Sequence, residues 1–318
     1  MTYREPVARH AGLPVVQFDP EAADLGGMAS SPGEVAWRLE GDLRGKYDDV
    51  FTAFAALVDP AQVVAVVLGG YSDATPLAAS SLAGAASYPR LRTLLVGDIL
   101  LVGDITSEAP ISWIEHENEE SLSSIFQAFP SLERFELRGA NFLELDPFAS
   151  ASLKVLRFEC GGLPAGVVRA VGASDLPNLE HLDLWLGVRH YGGDATVDDL
   201  APVLSGERFP SLRHLGLEDS EIADEIAEAV AAAPVAARLE SLSLAMGTLS
   251  DRGAEALLAG QPLGHLRRLD LHHHFVSRPL MERLTSELPD VDVDLTPAAN
   301  ATLDGSRPPD GFYVEVSE

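Results

Sequence analysis

The sequence predicts an α/β solenoid with short parallel strands on a concave face and helices on a convex one, and three observations predict it. The pattern LxxLxL is written three times in succession, as Leu212, Leu215, Leu217; Leu239, Leu242, Leu244; and Leu266, Leu269, Leu271. Its first leucines recur 27 residues apart, from 212 to 239 and from 239 to 266, a period of one strand plus one helix and too short a unit for a barrel of eight. Between the strands, apolar residues recur at three and four, as Ile222, Ile226, Val230 and again as Ala254, Leu257, Leu258, which is the stripe of an amphipathic helix.

Taken in order, residues 1–60 form an N-terminal cap region, 61–296 the repeat array and 297–318 a C-terminal tail. The cap shields the apolar end that the first repeat would otherwise expose. In it, Leu13 to Phe18 and Val35 to Leu39 read as short strands, and Tyr47 to Val58 sets Val50, Phe51, Phe54 and Leu57 on one side of a helix that Asp59 and Pro60 end. Val63 to Leu68 is a buried strand. The next unit runs Leu91, Leu94, Val96, and its LLVGDI (Leu94 to Ile99) is copied at once as Leu100 to Ile105. The copy either extends the strand in phase or loops out, and Gly97 and Gly103 favour the loop. An acidic segment with Trp113 precedes a helix over Leu122 to Phe129. Pro130, Pro177 and Pro210 then each stand two residues before a first-leucine position (Leu132, Leu179, Leu212), where proline stops the preceding helix. Further units are Leu132, Phe135, Leu137; Leu153, Leu156, Phe158; and Leu179, Leu182, Leu184. Pro297 to Pro309 reads as a mobile linker, and Phe312 to Val316 as a terminal strand that docks.

Composition narrows the function. The 318 residues carry 49 acidic against 22 basic side chains, a formal charge of -27, which repels phosphate backbones and anionic lipid. Nucleic acid is excluded as a partner on that ground. No apolar run is long enough to span a bilayer, and Met1 to Pro20 lacks the apolar centre of a secretion signal, so a cytoplasmic protein without membrane attachment is expected. One cysteine, Cys160, permits no intramolecular disulfide and no multi-cysteine zinc site.

The repeats resemble leucine-rich repeats, and Gly247 to Leu271 (GTLSDRGAEALLAGQPLGHLRRLDL) is similar to the ribonuclease-inhibitor class of them. The chain also resembles an uncharacterised family of bacterial leucine-rich-repeat-like proteins through Gly12 to Val15, Gly103 to Trp113, Asp183 to Val203, Asp270 to His274 and Val316 to Glu318. That resemblance implies the fold and no activity. Eight residues beyond the first leucine, where such repeats carry asparagine, stand Ala140, Gly161, Gly187, Ser220, Gly247 and His274. The ladder of asparagine side chains is missing, and the glycines there suggest positive φ.

If the leucines face the core, the third, fifth and seventh positions of each unit face outward. They supply the candidate partner-binding residues Arg134, Glu136, Arg138, Arg157, Glu159, His181, Asp183, Trp185, His214, Glu218, Arg268, Asp270 and His272. Mixed signs on neighbouring strands suggest lateral pairing. Trp185, flanked by His181, Asp183 and His214, is the aromatic anchor of a protein-binding face unless its own loop, Val188 to Asp198, covers it. His272, His273 and His274 are read as a turn and its surface rather than a metal site, and no cofactor is expected. GxSxG, HExxH and phosphate-loop motifs are absent. The expected function is therefore a non-enzymatic scaffold that binds a protein on its concave face. The alternative is a small-molecule binder or enzyme built on His181, Asp183 and His214.

Overall fold

The computed structural model describes residues 7–22, 25–41, 47–69, 81–84, 86–98, 114–115, 121–141, 143–308 and 311–316. The chain divides into two compact units, Met1–Glu144 and Leu145–Glu318. Each repeats the same motif of a short strand followed by a helical crossover, an α/β organisation.

The first unit contains β1 (Arg9–His10), β2 (Leu13–Gln17), β3 (Ala36–Glu40), β4 (Ala65–Gly69), β5 (Thr93–Asp98), β6 (Ile114–Glu115), β7 (Arg134–Arg138) and β8 (Ala140–Asn141). Its main sheet runs β1-β2-β3-β4-β5-β7. Among the described residues only β1 against β2 is antiparallel in this sheet, and β2 to β7 pair in parallel, so each strand after β2 needs a crossover to bring the chain back. The short strands read in the cap are thus consecutive members of this sheet. The helix Asp48–Leu57 buries Phe51 and Phe54, and Phe54 meets Phe18 and Trp37 edge to face at ring separations of 5.1 and 5.4 Å. Leu57 departs from expectation and is 48% exposed. At 100° per residue Val58 lies closer to the direction of Phe51 and Phe54, and it is Val58 that is buried. The copied segment Leu100 to Ile105, with Trp113, lies outside the described residues.

The second unit contains β9 (Val155–Glu159), β10 (His181–Gly187), β11 (His214–Ser220), β12 (Ser241–Ser243), β13 (Arg268–Asp270) and β14 (Asp292–Asp294), parallel and in sequence order. Register is unbroken. Leu156, Leu182, Leu215, Leu242, Leu269 and Val293 form one inward row. The leucine-type positions of the six LxxLxL units from Leu132 to Leu271 are all essentially buried, each side chain contributing about 1.5–3 kcal/mol on removal from water. Helices Ala165–Ala173, Val197–Ser205, Ala223–Ala232, Asp251–Ala259 and Arg278–Glu287 return the chain between strands. They bury the expected Ile226, Val230, Ala254 and Leu257.

The exit from each strand corrects one sequence expectation. Of Gly161, Gly187 and Gly247, only Gly187 has positive φ (+67°). In four other units the left-handed residue stands one position earlier, seven after the first leucine, at Gly139, Asp219, Met246 and His273, with φ of 59, 53, 64 and 56°, while in the Leu153 unit neither Cys160 nor Gly161 has positive φ. One left-handed residue reverses the chain out of the sheet, and Asp and His tolerate that conformation better than branched residues. Gly187 is obligatory for a second reason: a Cβ there would lie 1.9 Å from Gly161 O.

His274 is buried rather than on the surface. Its Nδ1 accepts from Val276 N and its Nε2 reaches Leu295 O, both at 3.0 Å. It ties adjacent turns together, the role that asparagine plays in the general repeat. The tail is also tied down. Ala298 N donates to His274 O at 3.0 Å and Arg278 N to Leu303 O at 2.8 Å, so 297–308 follows the last repeat rather than running as a free linker. Phe312 to Val316 docks without joining the sheet: Glu315 N donates to Met246 O at 2.8 Å and Val316 N to Asp219 Oδ1 at 2.9 Å.

Candidate functional site

Parallel register converts the odd-numbered repeat positions into rows of outward side chains. One row runs Val155, His181, His214, Ser241, Arg268, Asp292, and the next runs Arg157, Asp183, Gly216, Ser243, Asp270, Asp294. Strands about 4.8 Å apart bring row neighbours within hydrogen-bond reach. The candidates of the second unit gather into two clusters there.

The first cluster centres on Asp183, whose carboxylate is 3% exposed. Its Oδ2 meets His181 Nε2 and its Oδ1 meets His214 Nε2, each at 2.7 Å. The two imidazoles stack with centroids 3.9 Å apart and planes 12° from parallel. Gly216 makes this possible, because a Cβ at that position would lie 2.2 Å from Asp183 Oδ1. Arg157 Nε lies 2.9 Å from Glu159 Oε1 and 3.3 Å from Asp183 Oδ2. Burial opposes ionisation of Asp183, but the hydrogen bonds and charges of both histidines outweigh it and hold the carboxyl well below the usual range. Glu218 shifts the other way, pushed up by burial and then by the charge of Asp183, with hydrogen bonds from Ser243 and Trp185 only partly opposing.

Trp185 belongs to this cluster but is 4% exposed. Its Nε1 donates to Glu218 Oε2 at 2.7 Å, and its ring packs with Ala245, Met246 and Val316. Its cover comes from Val316 in the C-terminal segment, 131 positions along the chain (316 minus 185), as well as from its repeat neighbours. An exposed aromatic anchor is therefore not what this position presents. The neighbouring Asp219 is fully buried and its carboxyl is pushed up to about 8, mainly by burial, with the Val316 N–H working against the shift and Glu315 and Glu218 adding to it.

The second cluster joins Arg268, Asp270 and His272. Arg268 reaches Asp270 and Asp292 at 2.8 Å and Asp294 at 3.5 Å, while His272 Nδ1 meets Asp270 Oδ1 at 2.7 Å and Nε2 lies 3.4 Å from Glu315. Burial raises the Asp270 carboxyl less than His272 and Arg268 lower it. The hydrogen bond to Asp270 raises His272 above its usual value. Arg134, Glu136 and Arg138 lie in the first unit, on β7. There Arg134 bonds Glu136, whose carboxyl stays below its usual range because Arg134, His10 and Arg138 outweigh its burial.

Sequence reasoning passed over Ser241 and Ser243 among the outward positions. Ser241 Oγ lies 2.6 Å from His214 Nδ1, which makes a chain Ser241–His214–Asp183 of the order nucleophile, base, orienting carboxylate. The Ser241 N–H is spent on Arg213 O, and the N–H groups beside it lie in the sheet ladder, so they supply no backbone oxyanion pair. Asp219, Asp294 and Glu315 were also unmarked, since the first falls on an even position and the other two lie beyond the last LxxLxL. A cleft of about 360 Å³ lies elsewhere, between the turn at Leu186 to Asp198 and Ser220 to Glu225. It contains neither His181, Asp183 nor His214. Cys160 is buried, its thiol pushed up to about 12 by burial, and its Sγ lies 3.7 Å from Trp185 O.

This arrangement defines an α/β protein of strand–helix repeats with a polar, laterally paired outer sheet face. A crystal structure of a Bacteroides fragilis protein, determined as a structural-genomics target, shares the fold at TM-score 0.70 and 24% identity, covering 90% of this chain and 78% of that one. A Leptospira interrogans leucine-rich-repeat protein aligns at 16% identity over 77% of this chain and 68% of that one, with a TM-score of 0.26 that carries no argument. No family model matches the chain, and the search of curated proteins returned no match. Among the described residues no helix is long and apolar enough to cross a membrane.

Proposed function

We propose that the chain is a non-enzymatic cytoplasmic scaffold that binds a protein partner on the outward, concave face of its sheet. The observation that carries this reading is the pair of aligned rows from β9 to β14, in which Arg157, His181, Asp183, His214, Arg268 and Asp270 are held by neighbours on the same or the adjacent strand. Side chains already ordered cost little further entropy on binding, and a mixed-charge surface selects a partner of complementary pattern. A net charge of -27 favours protein over nucleic acid. The cleft at Leu186 to Asp198 does not enclose the histidine cluster, which favours an open face over a substrate pocket. Trp185 contributes by holding Glu218 rather than as an exposed anchor.

A second reading, small-molecule binding or catalysis, draws support from the Ser241–His214–Asp183 chain. The two are separated by cross-linking in source cells with the wild-type chain and a His181→Ala/Arg268→Glu variant. The scaffold reading expects a defined protein cross-linked to the wild type and lost from the variant. Identical cross-links from both would refute it, and ester hydrolysis abolished by Ser241→Ala would establish the alternative.

A further inference from the structure

We propose that His181, His214 and Asp183 form a binding site for a divalent transition metal of borderline softness, such as Zn²⁺. The donor set is two imidazoles and one carboxylate, whose nearest ligand atoms all lie within 4.8 Å of one another, the ligand types and number that leave a fourth zinc position open. Rigid strands supply them: His181 and His214 are register partners on β10 and β11, and Asp183 follows His181 by two residues on the same face. Ligands set by a sheet ladder need little reorganisation to bind.

Three further observations favour a cation at this point. The His214 Nδ1 contact with Ser241 Oγ at 2.6 Å is the outer hydrogen bond that fixes the ring of a metal-binding histidine. With Nδ1–H donating to Ser241, the Nε2 lone pair would be free to face an ion held together with Asp183 Oδ1, 2.7 Å from it. Second, Asp183 is buried beside the buried Glu159 and Glu218, with Arg157 3.3 Å from its Oδ2. Burying several carboxylates together is costly, and a divalent ion at Asp183 offsets part of that cost. Third, the His181 and His214 side chains remain 35% and 21% exposed while Asp183 is closed off. The ion can therefore enter from the open face and keep positions for water or for a side chain of a partner.

The second cluster, Asp270, His272 and Asp294, also brings three donor atoms together, but Arg268 already lies within 3.5 Å of both aspartates. Its carboxylates are more exposed, at 18% for Asp270 and 33% for Asp294, so water screens them. His272 therefore serves as the internal control.

The test is titration calorimetry of ZnCl₂ into the tag-free, chelator-stripped full chain, with the visible spectrum of the Co²⁺-loaded protein as a second readout. One equivalent should bind the wild type and His272→Ala alike. In His181→Ala and His214→Ala the affinity should fall by about a hundredfold or more, beyond the 10- to 100-fold typical of losing an outer-shell partner, and the cobalt band should vanish. If either alanine variant fails to fold by circular dichroism, the corresponding glutamine variant gives the same readout. Absence of binding heat in the wild type overturns the proposal. So does unchanged affinity in both histidine variants, or loss of binding in His272→Ala.

Discussion

Replacing Trp185 by alanine distinguishes an anchor from a structural residue. At 4% exposure, with Ala245, Met246 and Val316 against the ring, truncation leaves a cavity and should cost about 3–5 kcal/mol. It also strips Glu218 Oε2 of its indole donor at 2.7 Å, while Ser243 still bonds the other oxygen. Trp185→Phe separates these contributions. Most of the ring packing survives and the donor is lost, so a smaller cost of about 1–3 kcal/mol is expected. The assay is urea unfolding of both variants followed by far-UV circular dichroism, since fluorescence would lose a reporter with the mutation. The slope should stay near that of the wild type while the midpoint falls. An alanine variant destabilised by less than about 1 kcal/mol would mean that the indole is solvated, and the reasoning about its cover would fail.

Asp219 makes stability depend on pH in the direction opposite to an ion-paired carboxylate. Its folded-state pKa, about 8, lies above the unfolded value of about 4. Between those values the folded state holds the proton more firmly, so its contribution is present at low pH and is lost as pH rises from about 4 through 8. Asp219→Asn keeps an acceptor for Val316 N and tolerates the left-handed backbone. The stability difference, variant minus wild type, should therefore grow with pH across that window in chemical denaturation, and a pH-independent difference would refute the assignment. Leu242→Ala, at the centre of the inward row and almost fully buried, should cost about 2–5 kcal/mol; an unchanged urea midpoint would contradict the repeat register.

The repeat was legible because its signal is local and periodic. LxxLxL names the inward residues, the period separates strand from helix, and once the strands pair in parallel the odd positions must form outward rows. His181, His214 and Asp183 could be named together for that reason, since one-dimensional spacing becomes lateral proximity in a ladder. Leu57 was misplaced because the apolar stripe was drawn one residue too early; at 100° per residue Val58, not Leu57, continues the direction of Phe51 and Phe54. Burial of the outward positions was not legible at all. Glu159, Asp183 and Glu218 sit at positions that alternation marks as solvent-facing, yet cross-strand pairing and neighbouring cover bury them. The cover over Trp185 comes partly from Val316, and no local pattern connects residues so far apart in the chain. Sequence by itself determined which side of each strand is apolar, because that depends on side-chain type and a period of two. Tertiary structure alone decided which polar groups are dry, because desolvation depends on whatever distant chain comes to lie above them.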